Sequence, residues 1–180
     1  MKKFILLLIT IIAVSCGDDD SANEPAVSND SYLKVGSEEF TLKSGALLEY
    51  GSYEGSVFDF VLNLYSSDFT LNNEEPVFED NVITGISIDL YVNSPFDLVE
   101  TDYQKVDFDQ VSGNTYQAMD LAIDFDLQNE SGTTRQIVEG TFTVMSSGPD
   151  YELEFNGTDN EGNEVEFYYS GQLTEVDNTQ

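Results

Sequence analysis

Three side chains that carry most enzyme chemistry are missing or nearly so. The 180-residue sequence has no histidine, no tryptophan and one cysteine, Cys16. Without histidine there is no Ser-His-Asp or Cys-His catalysis, and histidine-ligated zinc and haem are excluded with it. One cysteine cannot form an internal disulfide or a thiolate cluster. Positive charge is also scarce: 6 Lys and Arg stand against 35 Asp and Glu, for a formal net charge of −29. Such a surface repels nucleic acid and anionic head groups, so neither is an expected partner. Any metal would be a hard, oxygen-liganded cation, with Ca²⁺ the first choice. No cofactor is otherwise expected.

Two of the few basic residues open the chain, at Lys2 and Lys3. Phe4 to Val14 follows as an apolar run broken only by Thr10, and Ala13-Val14-Ser15-Cys16 sets small residues before the cysteine. A run of 11 residues is too short for a membrane-spanning helix, which needs about 20. Basic start, short apolar run and small-residue site make a secretory signal over residues 1–15. A cysteine at the cut resembles a bacterial lipoprotein signal, which implies that Cys16 is lipidated and becomes the new N-terminus. Such signals usually carry Leu three residues before the cysteine, where this chain has Ala13. Cys16-Gly17-Asp18-Asp19-Asp20 is similar to the export signal of Bacteroidetes-type surface lipoproteins. The resemblance implies an outer-membrane protein anchored by lipid and facing the cell exterior, with the periplasmic face as the alternative. Asp20-Ser21-Ala22 is similar to the short O-glycosylation acceptor of the same group. Residues 16–31 read as a polar, flexible tether.

The rest is not a disordered acidic chain. The 12 Phe and 10 Tyr of the full chain, all but Phe4 in this part, come with Val, Ile and Leu in period-two order, which supplies burial against chain entropy. Phe58, Phe60, Leu62 and Leu64 alternate with Asp59, Val61 and Asn63. Val82 to Val92 and Met119 to Leu127 repeat the pattern, as do Val138 to Val144, Tyr151 to Phe155 and Val165 to Tyr169. Alternation over these lengths predicts half-buried strands. Gly36, Gly51–Gly55, the Ser66–Asn81 segment, Ser146–Asp150 and Asn156–Asn163 read as turns or loops. The expected fold is all-β: an antiparallel meander of nine or ten strands over residues 32–174, closed as a β-sandwich or flattened barrel, with a frayed polar tail at 175–180. The layout resembles small lipoproteins of the same surface group, some of them lipocalin-like. The resemblance rests on Gly36, Tyr50-Gly51, Gly140-Thr141, Asn156-Gly157-Thr158-Asp159 and Tyr169-Ser170-Gly171. It implies compartment and fold class and brings no chemistry to any residue.

Three groups of residues are candidate sites. Pairing Phe155 with Val165 would set Glu154 opposite Glu166, near Asp159 in the following turn, and like charges so opposed invite a cation such as Ca²⁺. Asp120, Asp124 and Asp126 form an acidic stripe to which Asp107 and Asp109 are candidate additions. The loop aromatics Tyr53, Phe69, Phe78 and Phe96 are the candidate ligand-contact residues, because exposed aromatics at the end of a β-scaffold are a common means of binding. With Tyr50, Tyr65 and Tyr91 they would also supply the stacking surfaces that tryptophan gives elsewhere. The expected function is a non-enzymatic binding module, with a glycan or another envelope protein as partner. A structural or protective envelope role is the alternative, and a carboxylate-dependent glycan hydrolase the third reading.

Overall fold

A computed structural model describes residues 31–179 except residue 74. The signal sequence, Cys16 and the tether up to residue 30 lie outside the described residues. The described chain is all-β, and its one non-strand element is a 3₁₀ turn at Phe108–Gln110.

Thirteen strands are present rather than nine or ten. They are β1 (Tyr32–Val35), β2 (Glu38–Thr41), β3 (Ser44–Glu54), β4 (Val57–Tyr65), β5 (Phe69–Asn72), β6 (Glu75–Phe78) and β7 (Val82–Val92). Then come β8 (Asp102–Lys105), β9 (Thr115–Asp126), β10 (Ser131–Ser146), β11 (Tyr151–Asp159), β12 (Glu164–Gly171) and β13 (Thr174–Asp177). Eleven form one curled sheet in the order β13-β3-β4-β7-β9-β8-β10-β11-β12-β1-β2, a half-barrel, while β5 and β6 form a separate hairpin. The chain joins the two ends of this sheet. Leu42 and Lys43 lead from β2 straight into β3; Leu42 is buried and Lys43 N donates to Tyr65 O at 2.8 Å.

The alternating residues face inward as their pattern demands. Phe60, Leu62 and Leu64 meet Ile86, Ile88 and Leu90, and Met119, Leu121 and Ile123 continue the layer. Phe142, Phe155 and Phe167 close it, with Phe155 stacked on Phe167 at 5.8 Å between ring centroids. Tyr103 and Tyr116 are also fully buried, and each satisfies its hydroxyl on backbone: Tyr103 on Val99 O, Tyr116 on Gly140 O. These buried side chains fill the interior as one contiguous core.

The architecture departs from a simple meander in several places, each with a local cause. β13 pairs parallel with β3, placing Val176 opposite Leu48, so the stretch after Glu175 is a strand and not a frayed tail. Val176 is only 8% exposed, and that burial holds it. β8 is not an edge strand: it lies between β9, which it parallels, and β10. The Ser66–Asn81 segment is the β5–β6 hairpin, and Gly51–Glu54 continues β3 through two register shifts. A bulge between Ile137 and Glu139 turns Val138 outward, 51% exposed, and puts Ile137 in the core instead. At the other boundary Ser31, the first described residue, is already tied into the sheet. Its Oγ accepts from Ser170 N at 2.8 Å, and its carbonyl accepts from Leu42 N at 2.9 Å.

Candidate functional site

The outer face of the sheet carries a groove of about 500 Å³, and strand register builds it. Asn63 pairs with Ser87, Ser87 with Asp120, and Asp120 with Gln136. One straight cross-strand row of polar side chains thus spans β4, β7, β9 and β10. The neighbouring row is Tyr65, Gly85, Ala122 and Thr134, joined the same way. Side chains two apart on a strand share a face, so both rows look outward while Leu64, Ile86 and Leu121 between them look into the core. The first row is amide, hydroxyl and carboxylate. The second has a floor of glycine and alanine between a tyrosine and a threonine. At an inter-strand spacing of about 4.8 Å, four strands give a trough about 14 Å long.

One end of the trough has an aromatic wall. Tyr65 packs edge-on against Phe69 at 5.7 Å and Phe78 at 4.8 Å, so the β5–β6 hairpin holds its ring in place. That ring leans over Gly85: a Cβ there would lie 3.0 Å from Tyr65 Cδ1 and 2.9 Å from Leu64 O. Glycine is what permits the approach. Burial pushes the Tyr65 hydroxyl up to about 12, so it stays protonated and neutral. The opposite end is closed by Asn160, whose N–H donates to Gln136 O at 2.8 Å and whose Oδ1 accepts from Gln136 N at 3.3 Å.

Arg135 also lines the groove, from the β10 position that pairs with core residue Leu121. Arg135 Nη1 donates to Asp159 at 3.0 Å, and Nη2 forms an ion pair with Glu161 at 3.2 Å. The Asp159 side chain is wholly buried. It also accepts from Glu161 N at 2.9 Å, Asn163 N at 2.8 Å and Asn163 Nδ2 at 2.9 Å. Burial alone would push its carboxyl up. The Asn163 side chain and backbone, Glu161 N and Arg135 together outweigh that and hold it below the usual carboxylate range. The arrangement locks the β11–β12 turn beside the groove.

A second feature runs along β4 and β7 past the groove. Asp59 pairs with Tyr91, and Asp89, two residues from Tyr91, pairs with Val61, so the two carboxylates are diagonal neighbours on the outer face. Asp120 continues the diagonal from β9. Partial burial raises the carboxyls of Asp59 and Asp89; Asp89 adds to the shift at Asp59, and Asp120 to that at Asp89. Tyr91 is pushed up to about 12 by burial and by the same two carboxylates. A raised carboxyl pair is an arrangement that acid catalysis uses. Here neither Asp59 nor Asp89 lines the groove.

The residues singled out in the sequence fall in several places. Phe69 and Phe78 pack against Tyr65, which lines the groove, and do not line it themselves. Tyr53 sits at the other end of β4, edge-on to Tyr91 at 4.8 Å and to Phe108 at 6.5 Å. Phe96 stands apart, 89% exposed. The three carboxylates considered for Ca²⁺ do not converge. Phe155 pairs with Phe167, not Val165, because that register stacks the two rings in the core, and Glu154 therefore faces Tyr168. Glu166 lies opposite Asn156 and is 3.7 Å from Lys34 Nζ. Asp159 is five residues along the strand from Glu154, about 17 Å at strand rise. Its oxygens are already taken by protein donors. Of the acidic stripe, only Asp120 lines the groove. Asp126 caps its own turn, accepting from Gln128 N, Asn129 N and Asn129 Nδ2, and Asp124 adopts a left-handed backbone (φ 48°) at a register shift. Asp107 lines a different depression with Gln110 and Glu139, and Asp109 lies in the 3₁₀ turn. Among the described residues no group of three or more acidic side chains is placed to hold a metal ion. Sequence reasoning missed Asn63, Ser87, Gln136 and Asn160. Their one local signal was position: the first two sit on the polar side of alternating strands.

Comparison with known proteins gives no family, no curated protein and no solved structure that this chain matches.

Proposed function

We propose that this protein is a non-enzymatic binding module of the cell envelope, tethered by lipid at Cys16 and displayed on the outer surface. The groove across β4, β7, β9 and β10 carries the binding part of this reading. The interior is filled, so a ligand meets the protein on its outer face, where a trough of convergent polar groups and a fixed aromatic wall is the usual make-up of a small-molecule site. The lipid anchor rests on the sequence around Cys16.

Two measurements test the reading. The chain from Gly17 to Gln180 contains every described residue. Its melting is followed with neutral oligosaccharides, fatty acids, amines and peptides in turn. At least one class is expected to raise the melting temperature, since a ligand of the folded state stabilises it. Ala122→Leu, which fills the trough floor, is expected to abolish the rise. No rise with any class would leave the structural envelope role as the better account. For the anchor, the full precursor is expected to incorporate labelled palmitate in a bacterial host and to fractionate with the membrane. Cys16→Ser is expected to lose both, and a labelled Cys16→Ser protein would overturn the assignment.

A further inference from the structure

We infer that the groove takes a short neutral glycan lying along the Asn63–Ser87–Asp120–Gln136 row. The inference rests on the reading of the groove as a ligand site, and it specifies the chemistry.

Hydroxyl groups need partners that both donate and accept. Asn63 and Gln136 each offer an amide N–H₂ and a carbonyl, Ser87 offers a hydroxyl, and Asp120 accepts at two oxygens. In register they stand about 4.8 Å apart, one after another, which suits a chain of ring hydroxyls better than a single charged head group. The parallel row supplies the complement. Gly85 and Ala122 leave an apolar floor for the C–H face of a ring, and Tyr65 offers an aromatic wall held by Phe69 and Phe78. The volume, about 500 Å³, lies within the range of small-molecule sites.

Charge narrows the class further. The domain has four basic residues, and each is engaged. Lys34 is paired with Glu166, Lys43 with Asp80, and Arg135 with Asp159 and Glu161; Lys105 Nζ donates to Gln117 O at 3.0 Å. An anionic ligand such as a phosphate or a uronic acid would meet one cation in the groove lining, Arg135, already paired with Asp159 and Glu161, and a strongly negative protein around it. A fatty acid would leave the polar row unsatisfied. An amine would be drawn to Asp120, but a single carboxylate among two amides and a hydroxyl favours a neutral ligand. A cation therefore serves as the competing outcome.

The experiment is calorimetric titration of the Gly17–Gln180 chain with neutral gluco-, manno-, xylo- and chito-oligosaccharides, with a galacturonate oligomer and with spermidine, at low and high salt. At least one neutral series is expected to bind with an affinity that salt does not change. Asn63→Ala and Gln136→Ala are each expected to weaken it about tenfold, the loss of one or two hydrogen bonds. Ala122→Leu is expected to abolish binding, and Phe96→Ala to leave it unchanged. Gln136 is exposed, so its variant keeps the test valid should Ala122→Leu not fold. Salt-sensitive binding of spermidine or galacturonate alone, blocked by Ala122→Leu, would overturn the glycan inference while the groove remained a binding site. Glycan binding untouched by all three groove variants would overturn it as well. No binding by any of these ligands would overturn this inference, and the binding-module reading falls with it only if fatty acids and peptides also leave the melting temperature unchanged.

Discussion

Replacing Asp159 by alanine tests how the groove end is held. The carboxylate is fully buried and accepts from Arg135, Glu161 N and Asn163. Its removal strands two turn amides and leaves Arg135 beside an empty space, with an Nε that is already buried and unpartnered. Breaking a buried ion pair from one side costs about 3–5 kcal/mol. Two facts favour the low end. The Arg135 second arm keeps its contact with the exposed Glu161, and turn residues Asn160, Glu161 and Gly162 are exposed, so water can reach the freed amides. Asp159→Ala is therefore expected to cost about 3 kcal/mol, which for a domain of this size lowers the melting temperature by about 6–12 °C. Asp159→Asn retains an acceptor for Glu161 N and Asn163 N but loses the charge facing Arg135, and about half the penalty is expected. The assay is urea unfolding followed by far-ultraviolet circular dichroism, as the chain has no tryptophan. The pH dependence follows from the lowered carboxyl. The contribution of Asp159 is complete above its ordinary value of 3.8 and is lost as pH falls through the lower native value. The difference between wild type and Asp159→Ala should accordingly shrink in strong acid. A penalty below about 1 kcal/mol at neutral pH would refute the view that this pair locks the turn.

Two other perturbations probe the fold. Truncation after Leu173 removes β13, loses the burial of Val176 and opens the β3 edge; a loss of about 2–4 kcal/mol in urea unfolding and a tendency to associate in light scattering are expected. Full stability of the truncated chain would mean that β13 does not hold the edge. Asp59→Asn should act in the opposite direction from Asp159→Ala. The native carboxyl of Asp59 is raised, so its ionised form burdens the fold, and the burden appears as pH rises from 3.8 through the raised value. The variant is expected to gain about 0.5 kcal/mol at neutral pH, the scale of relieving a like-charge cross-strand neighbour, and to gain nothing in acid. A neutral-pH loss would contradict the assigned repulsion from Asp89.

Much of the fold was legible because side-chain direction in a strand is a local property. The alternation of Phe58, Phe60, Leu62 and Leu64 named the core face of β4 before any partner was known, and Tyr151, Leu153 and Phe155 did so for β11. The acidity and the four committed cations could be read in part the same way: their number from the chain, their pairing only from the fold. Register was not legible. Phe155 opposite Phe167 and Phe155 opposite Val165 obey the same alternation, and the choice lies with ring packing in the interior. The bulge that exposes Val138 leaves no mark in composition, and β13 reads as a polar tail until β3 offers it an edge.

The candidate site shows the division most clearly. Sequence by itself determined that this is an all-β, strongly acidic chain without histidine or a disulfide, because those are matters of residue type and short-range period. It also marked Asn63 and Ser87 as outward-facing. Only the tertiary structure decided that Asn63, Ser87, Asp120 and Gln136 stand in one row and that Tyr65 leans over Gly85 beside them. Those four residues come from four different strands, spread from residue 63 to residue 136. What aligns them is the pairing of β4, β7, β9 and β10, set by burial of the opposite face, and nothing local to any of the four encodes it.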